Sequence, residues 1–139
     1  MKDSISTTIT YPHPVERVWA ALTDPAALSQ WLMPTDFRPE VGHRFRFTTK
    51  PYPGFDGTVN CRVLTVEEPK LLEYSWSGGG LEDTRVTFRL EARGPETVLH
   101  FTHAGFNGFF NQLVTRRILA SGWRKKILRE QLLNYLGDG

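Results

Sequence analysis

The sequence predicts an α+β domain: a curved antiparallel sheet of six to seven strands laid against one long C-terminal helix. Three observations predict it. Asn111 to Leu136 carries apolar residues at helical spacing, and a helix of that length needs a second layer to cover its stripe. About six earlier segments alternate apolar and polar residues with tight links between them, as in an antiparallel meander. Two short helical stretches sit directly after the first strand. A long helix across a curved sheet leaves room for a hollow between the layers, and the functional question is what fills it.

Taken in order, Ser4 to Tyr11 alternates, with Ile5, Thr7, Ile9 and Tyr11 on one side, which predicts a half-buried strand. Pro12 and Pro14 end it. Val15, Val18, Trp19 and Leu22 recur at helical spacing, so Val15–Leu22 is a short amphipathic helix. Thr23 or Asp24 caps a second helix with Pro25 in its first turn and Leu28, Trp31 and Leu32 on its buried face. Pro34 to Gly42 is a loop. Arg44 to Thr49 alternates with Phe45 and Phe47 inward. Gly57 to Val66 follows with Val59, Cys61 and Val63 aligned. Leu71 to Ser77 puts Leu72, Tyr74 and Trp76 on one face, Thr84 to Ala92 aligns Val86, Phe88 and Leu90, and Glu96 to Ala104 aligns Leu99, Phe101 and His103.

Length and composition set the outer bounds. The 139 residues form a single domain, 1–139, with 40% hydrophobic and 23% charged residues, an ordinary globular balance. No apolar run is long enough to span a bilayer, and Met1-Lys2-Asp3-Ser4 opens no signal-peptide core, so a cytoplasmic location is expected. One cysteine, Cys61, excludes an internal disulfide and a cysteine-rich metal site. A net charge of +2 is too small to argue for nucleic acid.

Several stretches together resemble the helix-grip fold of the START-like (SRPBCC) superfamily, nearest to the bacterial branch similar to the C-terminal domain of the heat-shock ATPase activator. They are Val15-Glu16-Arg17-Val18-Trp19-Ala20-Ala21-Leu22-Thr23-Asp24-Pro25, Leu28 to Trp31, Asp56-Gly57, Glu68 to Trp76, Thr97 to Phe106 and Gly122-Trp123. The resemblance covers nearly the whole chain. Val41-Gly42 stands where many relatives carry Gly-Gly, a departure that bears on local loop geometry. The superfamily includes ligand carriers, cyclases, hydroxylase subunits and co-chaperones, with no agreed catalytic set, so the resemblance implies fold and leaves chemistry to the residues.

The inward aromatics Trp31, Phe45, Phe47, Tyr74, Trp76, Phe88, Phe101 and Trp123 are the candidate lining of an apolar pocket. The same residues fit a filled core by pattern, and the family resemblance favours a partly open pocket. His103 shares their face; it could donate to a ligand oxygen or act as an acid–base group, or it could be a satisfied core histidine. Phe106 lies in the Gly105–Phe110 segment with Phe109 and Phe110. That segment reads equally as a lid hinged at Gly105 and Gly108, a dimer contact, or a piece docked on the long helix. Cys61 reads as core, and His13, His43 and His100 have no carboxylate at ligand spacing, so no metal or other cofactor is expected. Arg116, Arg117, Arg124, Lys125, Lys126 and Arg129 make the C-terminal helix basic, which reads as a docking face for an acidic partner or, more commonly, as a solvated face opposite Ala120, Trp123, Ile127, Leu128 and Leu132.

The preferred expectation is binding of a small hydrophobic molecule, such as a lipid, an aromatic polyketide or a flavonoid-like compound. A co-chaperone-like module acting on a heat-shock ATPase is the alternative that the resemblance implies. A cyclase-type enzyme using the same cavity, with His103 as its one inward acid–base group, is the third. The chain is expected as a monomer or dimer.

Overall fold

A computed structural model describes residues 4–51, 56–78, 81–105 and 122–137. Six strands form one antiparallel sheet: β1 (Ser4–Tyr11), β2 (Arg44–Thr48), β3 (Thr58–Glu67), β4 (Leu71–Gly78), β5 (Leu81–Arg93) and β6 (Glu96–Ala104). Their spatial order is β1-β6-β5-β4-β3-β2, so β2 to β6 is a meander and β1 pairs with its last strand. Among the described residues the sheet has six strands, within the six to seven expected. The chain must therefore travel from one edge of the sheet to the other between β1 and β2. Two helices, α1 (Val15–Thr23) and α2 (Pro25–Trp31), make that journey.

Local chemistry explains the helix boundaries. The Asp24 side chain accepts from the Ala26 N–H and Pro25 occupies the first turn, so α2 starts on an N-cap and a pre-set φ. Val18, Trp19, Ala21 and Leu22 of α1 and Ala27, Leu28 and Trp31 of α2 are buried, as their spacing predicts. The Trp31 indole N–H donates to the Ala21 carbonyl at 2.8 Å and locks one helix to the other.

The C-terminal helix departs from expectation in its winding. Among its described residues, Gly122–Leu132 is a π-helix and Leu133–Leu136 (α3) is α-helical. Trp123, Leu128, Leu132 and Leu136 are buried, whereas Ile127 is half-buried. The i→i+5 winding explains this, since it places Leu128, five residues on from Trp123, on the same side. The helix ends at Gly137 with φ 62°, whose N–H bonds the Leu133 carbonyl. Arg17 on α1 donates to the Leu136 carbonyl, one of the helix-end acceptors that have no partner within the helix. Residues 111–121, where the long helix was expected to begin, lie outside the described residues, as do Phe106, Phe109 and Phe110 of the segment read as a lid, a dimer contact or a docked piece.

The sheet bends where its ladders slip. Register shifts occur between β3 and β4 at Val63/Thr65 and between β4 and β5 at Trp76/Gly78, and such irregularities increase local twist. The core lies on the concave inner face, where α1 meets β5 and β6 and the π-helical segment meets β1 and α2.

Candidate functional site

Strand alternation delivers the inner face. Cross-strand partners Leu72 and Phe88, Phe88 and Phe101, and Val86 and His103 stand side by side. Phe45, Phe47, Tyr74, Trp76, Phe88, Phe101, His103, Trp31 and Trp123 are all buried. Of the expected site residues, only Phe106 lies outside the described part of the chain.

These side chains form a continuous aromatic wall. Tyr74 is its middle, with ring centroids 5.1 Å from Phe45, 6.1 Å from Phe47 and 5.9 Å from Phe88. Trp123 is its far end, 4.5 Å from Phe101 and 5.5 Å from Trp76. Most of the pairs are edge-to-face or tilted, the arrangements that ring quadrupoles prefer. Trp31 stands apart, since its indole is spent on the helix pair.

His103 joins the wall to the helix. The Trp123 indole, a donor only, donates to His103 Nδ1 at 3.3 Å. His103 Nε2 lies 2.8 Å from the Thr84 hydroxyl, and that hydroxyl donates to the Trp76 carbonyl at 2.6 Å. The chain of donors is consistent in one way: Nδ1 accepts, Nε2–H donates, and the imidazole is neutral. Burial holds it so, lowering its pKa to about 4.

Among the described residues the buried side-chain polar atoms without a hydrogen-bond partner are His13 Nε2, Arg17 Nε and Thr35 Oγ1, none of them in the wall. Burial, with a lesser contribution from the Cys61 thiol, pushes the Tyr74 phenol well above its ordinary value, so it remains a donor. Burial likewise raises the Cys61 thiol, first by desolvation and then by the Asp36 carboxylate, which keeps it protonated and unreactive.

Sequence reasoning missed two members of this layer, Phe37 and Thr84, and one partner of a third. Phe37 was read as part of the Pro34–Gly42 loop, yet it is buried and meets Phe45 edge-on at 4.9 Å. A single aromatic between Asp36 and Arg38 carries no period to betray it. Thr84 has the parity of Val86 and Phe88 and was legible as inward. Tyr11 was placed inward, but its hydroxyl bond to the Leu128 carbonyl at 2.7 Å spans the whole chain. Among the described residues no group of three or more His, Cys, Asp or Glu could hold a metal. The described hollows, about 960 Å³ beside Lys70 and His100 and about 710 Å³ beside Arg44 and Arg62, open on the other side of the sheet from the aromatic wall.

A bent sheet gripping a C-terminal helix, with two short helices between the first strands and an aromatic inner face, defines a START-like domain of the SRPBCC superfamily. The family model for Activator of Hsp90 ATPase homolog 1-like protein matches residues 12–137, and the chain belongs to that family. Among solved structures, MLL2253 from Mesorhizobium loti is 31% identical over 96% of this chain and 93% of that one, with a TM-score of 0.78. CalU16 from Micromonospora echinospora is 28% identical over 96% of this chain and 73% of that one, with a TM-score of 0.72. DynU16, from the dynemicin biosynthetic locus, is 25% identical with a TM-score of 0.81; this chain is covered fully and spans 49% of that protein. A search of curated proteins returned no significant match. Among the described residues no helix is long and apolar enough to cross a membrane.

Proposed function

We propose that the protein binds a small hydrophobic molecule, of lipid, aromatic polyketide or flavonoid-like character, between the inner face of the sheet and the C-terminal helix. One observation carries this reading: a continuous aromatic wall runs from Phe45 through Tyr74 to Trp76 and Trp123 on the inner face of the sheet. The Tyr74 hydroxyl and Trp76 indole N–H in that wall would orient a ligand carbonyl or hydroxyl. Flat rings or acyl chains would slot between the tilted aromatics near Trp76, Phe101 and Trp123. Covering about 200 Å² of apolar ligand surface would contribute about 5 kcal/mol before association costs. The likeness to a protein of the dynemicin biosynthetic locus supports a ligand of natural-product type.

The screen that tests this is thermal denaturation against a library of hydrophobic compounds. A true ligand binds only the folded chain and raises the melting temperature with concentration. A library that leaves it unmoved at saturating solubility overturns the reading.

The family match favours one second reading, a surface module acting on a heat-shock ATPase. Pull-down and ATPase stimulation with the purified ATPase decide it; neither binding nor stimulation removes it. A cyclase-type reaction would require His103 to exchange its Thr84 or Trp123 bond for a substrate contact, and it gains no support from this geometry.

A further inference from the structure

The outer face of the sheet carries a row of arginines that outnumber their acidic neighbours and make no ion pair with a described residue. Arg44 on β2 lies directly opposite Arg62 on β3. The Ser75 hydroxyl on β4 accepts from the Arg62 backbone N–H at 2.9 Å, and Ser75 is the cross-strand partner of Arg85 on β5. Arg46 projects beside Arg44, and all four arginines are exposed. Among the described residues the ion pairs join Glu91 to Arg93 and to His100, and none involves these four. Asp36 and Asp83 border the row, yet the Asp36 carboxylate accepts from the Arg46 backbone N–H at 2.8 Å rather than pairing with a guanidinium. A hollow of about 710 Å³ opens here, lined by Asn60, Ser75 and Ser77 and by three arginines, Arg44, Arg46 and Arg62, against two carboxylates, Asp36 and Asp83.

Like charges placed opposite each other on a ladder cost stability. A sheet whose only need was solubility could place lysines, or acids, in the row. Every cation here is arginine, whose planar fork grips a carboxylate with two bonds. Arg62 and Arg85 stand two strands apart, about 10 Å, wider than one small oxyanion spans. Carboxylates two to three residues apart on an extended chain, at about 3.4 Å per residue, reach across that spacing.

We propose that this face docks an acidic segment of a partner protein, a run of Asp and Glu side chains lying across β2 to β5. Its carboxylates bridge Arg44 with Arg62 and reach Arg85, with Ser75, Ser77 and Asn60 supplying further hydrogen bonds. The surface is on the opposite side of the sheet from the aromatic wall, so it stands or falls independently of the hydrophobic ligand.

Fluorescence anisotropy with a labelled oligoglutamate peptide tests it, with inorganic phosphate and anionic phospholipid vesicles as competitors. Binding should weaken as salt rises and fall by about tenfold or more in the Arg44→Glu/Arg62→Glu variant, while Arg93→Gln binds as the parent does. Arg44→Glu alone should raise the melting temperature, because it turns a like-charge pair into an opposite one, and should still weaken the peptide. Absence of peptide binding at low salt, or binding unaffected by the double reversal, overturns the proposal. So does displacement of the peptide by phosphate or vesicles at equal charge concentration.

Discussion

His103 stands where sheet and helix meet, with the Trp123 indole on Nδ1 and Nε2 against the Thr84 hydroxyl. Its folded pKa, about 4, lies below the ordinary value of 6.5 because burial penalises the cation. Between those values the unfolded chain takes up the proton and the folded chain does not. The stabilisation is therefore complete above about pH 6.5, is lost as pH falls toward 4, and amounts to about 3 kcal/mol across that window. Urea melts from pH 7 to 4 should show that loss, and His103→Gln should flatten it; an equal slope in the variant would refute the assignment. Tyr74 invites a complementary experiment. Tyr74→Phe keeps the ring and removes only the hydroxyl that would orient the ligand, so stability should change by less than about 1 kcal/mol while ligand affinity falls by about tenfold. The inward parity of His103, Tyr74 and Trp76 was legible in the sequence, because strand periodicity alone sets it. The partners were not: Trp123 is 20 residues from His103 and Thr84 is 19, and only the folded ladder brings them together.

At the scale of elements, the sheet was the legible part and the helix the illegible one. β1 and β6 run Ser4–Tyr11 and Glu96–Ala104, as alternation and flanking turns predict. β5 starts earlier than its apolar pattern shows, at Leu81, since a glycine-rich flank hides the first pairs. The π winding of Gly122–Leu132 has no simple sequence sign, because Trp123, Ile127 and Leu128 fit an α-helical stripe as well. Tyr11 ties β1 to that segment through the Leu128 carbonyl. Tyr11→Phe leaves the buried carbonyl without its donor and should cost about 1–3 kcal/mol in chemical denaturation; no loss would show that the bond does not hold the helix in place. Gly57 precedes β3 at φ +86°, and a Cβ there would stand 2.4 Å from the Thr49 carbonyl oxygen. Gly57→Ala should therefore lower the melting temperature markedly, through both the clash and the positive φ.

Over the whole molecule, two faces of one sheet do different things. The inner face is aromatic and gripped by helices; the outer face is polar and rich in arginine. Family membership and architecture were legible from the order of elements and from stretches such as Glu68 to Trp76 and Gly122-Trp123. Whether the aromatic layer takes a guest depends on how tilted rings yield to one, which periodicity does not encode. Trp123 is the hinge of that question, since it touches Phe101, Trp76 and His103 at once. The most direct measurement is an NMR titration of the indole N–H signals with hydrophobic compounds that raise the melting temperature. Specific, saturable shifts of Trp76 and Trp123, weakened by Tyr74→Phe, are the predicted result. Compounds that stabilise the fold while those two signals stay fixed and outer-face amides move would contradict it.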